Sequence, residues 1–90
     1  MTTFNQFTVE PSTSGFTELL TSTNGAVVTN LGPETVYLYN GYGSEPTFSA
    51  TTWYALYPVQ SVSFSGGTGG LQVLAATVAG SSQVNVVSTS

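Results

Sequence analysis

The chain has 90 residues and a formal net charge of −4, and it contains no Lys, Arg, His or Cys. Proteins that bind nucleic acids need Lys or Arg to neutralise phosphates, nucleophilic catalysis needs a base such as His or Lys, and zinc, haem or iron–sulfur sites need His or Cys. The composition therefore excludes nucleic acid as a partner, predicts that the chain is not an enzyme and has no cofactor, and favours a binding or structural role.

Charged side chains are unusually few for a soluble protein. They make up 4% of the residues, whereas about 25% is usual, and a soluble monomer normally carries more charge to resist association. A domain of this length also buries only about 60 to 68% of the surface that its unfolded chain exposes. We therefore expect a homo-oligomer that buries apolar surface against its partners.

The N-terminal region carries no basic residue ahead of an apolar segment, so it has no signal-peptide pattern. No stretch of the sequence approaches the roughly 18 consecutive apolar residues of a membrane helix. These two observations predict synthesis in the cytoplasm of the producing cell, with no membrane partner.

The first element is predicted to be an extended N-terminal arm over residues 1–14, followed by a β-sandwich domain over residues 15–90. Residues 2–10 alternate weakly, with Phe7 and Val9 on one side, and a Pro-, Ser- and Gly-containing break follows. Because Phe4, Phe7 and Val9 precede this break, they are poorly placed to join the main core. We expect them to bind a neighbouring subunit.

The rest of the chain is predicted to be all-β, because Val and Thr dominate and no segment shows the apolar period of a helix. Short β-rich runs separated by turn residues are typical of a sandwich or a small barrel, and we predict a single antiparallel β-sandwich of jelly-roll type. Strands are predicted over residues 16–20, 26–31, 35–39, 51–57, 59–65, 71–78 and 81–87. Asn24-Gly25 predicts a type I′ hairpin, residues 66–70 predict a hairpin turn, and the last two strands predict a terminal hairpin.

Candidate ligand sites are few. The glycine-rich residues 66–70 lack the Lys and the helix of a phosphate-binding loop. Glu34 and Glu45 could form a glycosidase pair, although Glu34 lies in a Gly-Pro-Glu turn where a solvated acid is ordinary. A calcium site would want clustered carboxylates, and the chain has no Asp, which leaves open a site completed by a neighbouring subunit. We predict no metal and no cofactor.

Aromatic residues give the strongest positive signal. Tyr37 and Tyr39 share one face of their predicted strand, while Val36 and Leu38 occupy the other, so both faces are apolar. Residues 53–57 repeat this pattern. A strand with two apolar faces is either central to a core or presents one face to a partner, and Tyr and Trp are enriched at interfaces.

Three interpretations of these aromatic residues stay open: a subunit interface, rings that cap the core with their polar tips in water, and a sugar-binding platform that also uses Asn40 and Glu45. The predicted interface residues are Phe4, Phe7, Val9, Tyr37, Tyr39, Tyr42, Trp53 and Tyr54.

Three stretches of the chain carry a resemblance to a known class of proteins. The segment VVTNLGPETVYLYNG (residues 27–41), then YPVQSVSFSGG and LQVLAATVAGSSQVNVV, resembles small β-rich virion proteins of tailed bacteriophages. The resemblance covers about two-thirds of the chain. It lies in the order of strand and turn types, since no catalytic or ligand-binding motif defines these proteins.

The resemblance implies a head decoration, cement or minor capsid protein on the outer surface of a phage capsid. Its partners would be the major capsid protein and copies of itself. The alternative is a phage tail or fibre-tip protein that binds host-surface glycans.

Overall fold

The described residues of the chain fold into two four-stranded antiparallel sheets. The computed structural model describes residues 2–23, 25–40, 47–65 and 71–89. Within these residues the strands are β1 (Thr2–Val9), β2 (Thr17–Thr23), β3 (Gly25–Gly32), β4 (Val36–Asn40), β5 (Tyr54–Leu56), β6 (Ser61–Ser65), β7 (Leu71–Ala76) and β8 (Ser82–Thr89). The prediction of an all-β protein is confirmed.

The order of the strands determines how the chain joins the two sheets. The first sheet has the order β1-β8-β3-β6 and the second has the order β2-β7-β4-β5. Among the eight described strands, only β4 and β5 are neighbours both along the chain and in a sheet. Every other connection between consecutive strands passes from one sheet to the other, so the two sheets cannot separate into independent hairpins.

Alternate residues from both sheets point into one shared core. On β8, Val84 and Val86 are buried, and on β4 the buried residues are Val36 and Leu38. The core cluster comprises Val9, Leu19, Ala26, Val28, Val36, Leu38, Leu56, Val73, Ala75, Val84 and Val86, with Phe7, Val62 and Phe64 packed against it. The two sheets therefore pack on each other as in a β-sandwich.

The predicted hairpins at Asn24-Gly25 and at the end of the chain are wrong. β2 pairs with β7, whereas β3 pairs with β6 and β8, and β7 and β8 belong to different sheets. Turn residues indicate where a chain reverses, but the partner of each strand is decided by which arrangement buries its apolar face. Residues 66–70, predicted as a hairpin turn, connect β6 to β7 in the other sheet; these residues and Asn24 lie outside the described part of the chain.

The N-terminal residues differ from the expected arm. β1 pairs with β8 along its whole length, from Thr2 opposite Thr89 to Val9 opposite Ser82, and Val9 is fully buried in the core. The break that follows does not detach the segment. Ser12 N–H donates to the Thr77 carbonyl, and Thr77 N–H donates to the Glu10 carbonyl, both at 3.0 Å. Residues 2–9 are therefore an edge strand of the first sheet.

The middle of the chain contains less strand than predicted over residues 51–57 and 59–65. Before Tyr54 the backbone turns, with Trp53 N–H donating to the Ser49 carbonyl at 3.0 Å. Before Ser61 the backbone is irregular because Val59 has a φ of 70°, which is incompatible with an extended strand. In the described segments, no helix has the length and apolar character needed to cross a membrane.

Candidate interaction surfaces

The outer side of the second sheet carries an aromatic cluster formed by Phe16, Tyr37, Tyr39, Phe48 and Trp53. Trp53 lies at its centre, with ring centroids 5.1 Å from Phe16, 5.2 Å from Tyr39 and 5.1 Å from Phe48. Tyr37 joins through an edge-to-face contact with Phe48 at 5.7 Å. These separations are those of favourable aromatic pairs, which contribute about 0.5 to 1.5 kcal/mol each beyond area burial.

The strand pattern explains why the cluster forms outside the main core. Val36 and Leu38 of β4 point inward and are buried, so Tyr37 and Tyr39 point outward. The Trp53 ring, at the end of a turn, contacts Tyr39, and the Phe48 ring, just before this turn, contacts Tyr37. Ala76, which lies opposite Tyr37 on β7, is fully buried. The aromatic residues thus build a second, smaller apolar layer on the sheet.

Burial divides the predicted interface residues into two groups. Val9 is fully buried and Trp53 is only 6% exposed, so their apolar surfaces are already covered by the chain itself. Phe7 and Tyr37 are partly buried. A neighbouring subunit could not contact Val9 without disrupting the core, which corrects the expectation that Val9 binds a partner.

Three other predicted interface residues are accessible. Phe4 is 75% exposed, and Tyr39 and Tyr54 also keep exposed ring surface. Their role as contact residues stays a prediction. Tyr42 lies outside the described residues. The structure thus leaves Phe4 on the first sheet, and Tyr39 and Tyr54 on the second, as the accessible members of the predicted set.

The first sheet presents a broad surface, here called the first-sheet outer face. Its members are Phe4, Gln6, Thr8, Val27, Thr29, Ser61, Ser63, Gln83, Asn85 and Val87, placed by strand pairing. Phe4 lies opposite Val87, which lies opposite Val27, so an apolar row crosses three neighbouring strands. All of these side chains are uncharged.

Hydrogen bonds order the polar side chains of this face. Gln83 Nε2 donates to Thr8 Oγ1 at 2.8 Å, and Gln6 Nε2 donates to Gln83 Oε1 at 3.3 Å. The Thr29 and Ser61 hydroxyl oxygens are 2.8 Å apart. These amides and hydroxyls offer hydrogen bonds to a partner without introducing a charge that a partner must neutralise.

A recess of about 390 Å³ opens on the first-sheet outer face. The recess is bordered by residues that include Phe4, Gln6, Thr29, Asn85 and Val87. It combines one aromatic ring with amide and hydroxyl groups. Such a recess suits an uncharged apolar or hydrogen-bonding group of a partner.

A buried polar cluster at one end of the sheets was missed by sequence reasoning. Asn30 is fully buried, and its Nδ2 donates to the carbonyls of Glu34 at 2.7 Å and Leu56 at 2.8 Å. Its Oδ1 accepts from Gly32 N–H and from the Ser82 hydroxyl, both at 2.8 Å. Asn30 therefore connects β3, β5 and the start of β8. The sequence feature that could have predicted this cluster is an Asn at an inward position of an alternating strand.

The glutamates do not form a site among the described residues. Glu10 and Glu18 are exposed, and Glu18 accepts a hydrogen bond from Gln72 Nε2 at 2.9 Å. In the described part of the chain, no group of three or more acidic side chains comes together to hold a metal ion. Glu45 lies outside the described residues. Both hypotheses that use Glu45, the Glu34–Glu45 pair and the sugar-binding platform, therefore stay predictions.

Comparison with protein-family models, curated proteins and solved structures finds no match. The resemblance to phage virion proteins therefore stays a prediction.

Proposed function

We propose that the chain is a non-enzymatic structural protein of a virus particle, and most specifically a decoration or cement protein on the outer surface of a phage capsid. The observation that carries this proposal is the uncharged first-sheet outer face, with Phe4 exposed on it. Monomeric proteins normally keep charge on such a surface to resist association. A face without charge suits burial against another protein.

The strand order supports the finer fold assignment within this proposal, a jelly roll. Two four-stranded sheets with the orders β1-β8-β3-β6 and β2-β7-β4-β5 correspond to the eight strands of two interlocked Greek keys. This architecture recurs in viral capsid proteins and in lectins. Fold analogy does not establish function, so it adds to the surface argument without replacing it.

The proposed mechanism is mechanical. Strands about 4.8 Å apart with a rise of about 3.4 Å per residue give the first-sheet outer face an area of roughly 500 Å². Contact with an equal area of the major capsid protein would bury about 1,000 Å² in total, near the lower limit for a specific interface. One copy would bind weakly, and many copies over a shell would together add cohesion that resists internal pressure.

A second candidate function is glycan binding by a tail or fibre-tip protein. The recess beside Phe4 favours it, because an aromatic ring next to the Gln6 and Asn85 amides and the Thr29 hydroxyl can stack on the apolar side of a sugar and bond its hydroxyls. The two functions differ in copy number. A decoration protein covers the head in many copies, whereas a fibre-tip protein occurs in few copies at one vertex.

Immunogold electron microscopy tests the proposal. Antibodies against the purified chain would be applied to virus particles released from cells that carry the gene. Label spread over the head supports the decoration function, and label confined to one vertex supports the alternative. Particles without any label contradict both functions.

Matched variants connect the particle location to the face. Val27→Glu places a carboxylate in the apolar row of the first-sheet outer face, whereas Val78→Glu adds the same charge at an exposed residue in the β7–β8 connection. We expect Val27→Glu to reduce the amount of chain on purified particles and Val78→Glu to leave it unchanged. Equal incorporation of both variants would contradict the claim that the first-sheet outer face contacts the particle.

A further inference from the structure

The four edge strands of the two sheets differ in how they discourage pairing with another strand. Natural sheets protect edges with short strands, bulges, charges or proline. β5 has three residues and is soon followed by Pro58, and β6 has five residues. β2 carries two register shifts and Glu18. Each of these three edges therefore has at least one recognised protection.

β1 has none of these protections. It has eight residues, and its register with β8 runs from Thr2 to Val9 without a shift. Its sequence, TTFNQFTV, contains no charge and no proline. Within the described residues, β1 pairs with β8 alone and lies at the end of its sheet. Its other side presents backbone N–H and C=O groups that can pair with a further strand.

We propose that the free edge of β1 pairs with β1 of a second copy of this chain, so that the two first sheets join into one continuous antiparallel sheet. Charge makes β1 an edge at which a second copy can pair, unlike β2, which carries Glu18. The chain carries four glutamates and no side-chain cation, so two copies repel wherever carboxylates face each other. Because β1 is uncharged, its edge lets two copies meet without placing like charges opposite each other, which is destabilising in cross-strand pairs.

Symmetry limits the register of this pairing. Two identical antiparallel strands are related by a two-fold axis perpendicular to the sheet, and a two-fold contact is self-complementary. One residue of β1 must therefore lie opposite its own copy. Registers centred on Asn5 or Gln6 pair nearly the whole strand and keep Phe4 and Gln6 of both copies on the same outer side.

The joined sheet extends the surface assigned to particle binding. It places two first-sheet outer faces side by side, which doubles the area available to a shell protein. The inference deepens the proposed function and rests on it for its role in a particle, but the pairing itself is a property of the isolated chain. It can therefore be tested in solution.

Single-cysteine cross-linking tests the geometry. The chain has no Cys, so Asn5→Cys, Gln6→Cys and Ser63→Cys each introduce one thiol, the last on β6 at the opposite edge of the same sheet as a control. Directly opposite residues in antiparallel strands have Cα atoms about 4.5 to 5.5 Å apart, within the range for a disulfide. We expect Asn5→Cys or Gln6→Cys to form a disulfide-linked dimer under mild oxidation, and Ser63→Cys to form no disulfide-linked dimer. Equal cross-linking of all three variants overturns the proposal.

Sedimentation equilibrium tests whether the pairing occurs without a cross-link. We expect the wild type to reach twice the 9.3 kDa mass of one chain as its concentration rises. Asn5→Lys should abolish this increase and Ser63→Lys should keep it, with circular dichroism showing that both variants are folded. A wild type that stays monomeric up to its solubility limit overturns the pairing, and so does an Asn5→Lys variant that still dimerises, because it would indicate another surface or another partner strand.

The pairing and the proposed function can fail separately. Absence of the chain from virus particles contradicts the proposed function and does not affect cross-linking of the purified protein. Failure of the purified wild type to dimerise overturns the edge pairing and does not change the amount of chain found on particles.

Discussion

The Ser82 hydroxyl lies 2.8 Å from Asn30 Oδ1 and donates a hydrogen bond to it in the interior of the protein. Ser82 begins β8, and Asn30 lies near the end of β3. The same Asn30 side chain binds the carbonyls of Glu34 and Leu56. Leu56 ends β5 in the second sheet, so one amide group connects both sheets, and all of its hydrogen-bonding capacity is used.

Replacing Asn30 with Ala should be strongly destabilising. The change removes the hydrogen bonds from Asn30 to the Leu56 carbonyl and to Gly32 N–H, and each unsatisfied buried group costs about 1 to 3 kcal/mol. The Glu34 carbonyl and the Ser82 hydroxyl also lose Asn30 but keep their bond to each other at 3.1 Å. We expect the free energy of unfolding in urea to fall by about 3 kcal/mol or more. Asn85→Ala, at an exposed position of β8, is the control and should change it by less than about 0.5 kcal/mol. Similar effects of the two substitutions would show that the Asn30 network contributes little.

Trp53 is expected to act in folding more than in binding. Its ring contacts Phe16, Tyr39 and Phe48 and is almost fully buried, so Trp53→Ala should lower the unfolding free energy by about 3 to 5 kcal/mol. Phe4→Ala removes an exposed ring and should change stability by less than about 0.5 kcal/mol. Thermal unfolding followed by circular dichroism checks both values. If Trp53→Ala is as stable as the wild type, Trp53 contributes little to folding and is again a candidate interface residue.

Val59 occupies a conformation that suits glycine better. Its φ is 70° and its side chain is 85% exposed, so a β-branched residue is strained there without burial to offset the strain. Such strain costs about 1 to 3 kcal/mol, whereas the extra backbone freedom of glycine costs about 0.5 to 1 kcal/mol. Val59→Gly should therefore raise stability by up to about 2 kcal/mol, or several degrees in Tm.

Val78→Gly provides the comparison for Val59→Gly. Val78 is also exposed, but its φ is not positive, so the substitution brings only the entropic cost of glycine. It should lower Tm slightly. A lower Tm for Val59→Gly as well would contradict the assignment of strain to Val59.

Deletion of residues 1–14 distinguishes an edge strand from a free arm. An arm could be removed without loss of the folded domain. Removal of β1 instead takes Val9 and Phe7 from the core and exposes the β8 edge. We expect the fragment of residues 15–90 to lose cooperative unfolding, monitored by Trp53 fluorescence. A fragment that unfolds cooperatively, with the stability of the full chain, would support the arm.

Local alternation in the sequence was sufficient to group the residues that share one side of a strand. It places Val36 with Leu38 and Tyr37 with Tyr39, but because both sides of this strand are apolar it does not tell which side faces the core. The structure buries Val36 and Leu38. The same patterns failed for strand partners. Asn24-Gly25 has the signal of a hairpin, yet β2 and β3 lie in different sheets, because pairing depends on contacts between residues distant in sequence.

The candidate surfaces were less predictable from the sequence than the sides of single strands. Alternation places Tyr37 and Tyr39 on the same side of their strand, but their outward orientation and their contacts with Trp53 and Phe48 depend on how the rest of the chain folds. The first-sheet outer face brings together Phe4, Val87 and Val27 from three parts of the chain. Its lack of charge can be seen in the composition, but the assembly of these residues into one surface needs the strand order.

The most direct test of the proposed function is the amount of this chain on purified virus particles, measured by mass spectrometry after washing at low and at high salt. Screening acts over about 8 Å at physiological ionic strength, and the chain has no side-chain cation with which copies could form salt bridges. We predict many copies per particle and the same number after both washes, because apolar burial and hydrogen bonds hold the chain in place. Absence from particles would contradict the structural role, and loss at high salt would show that glutamates bind a basic partner and that the uncharged face is not the main contact.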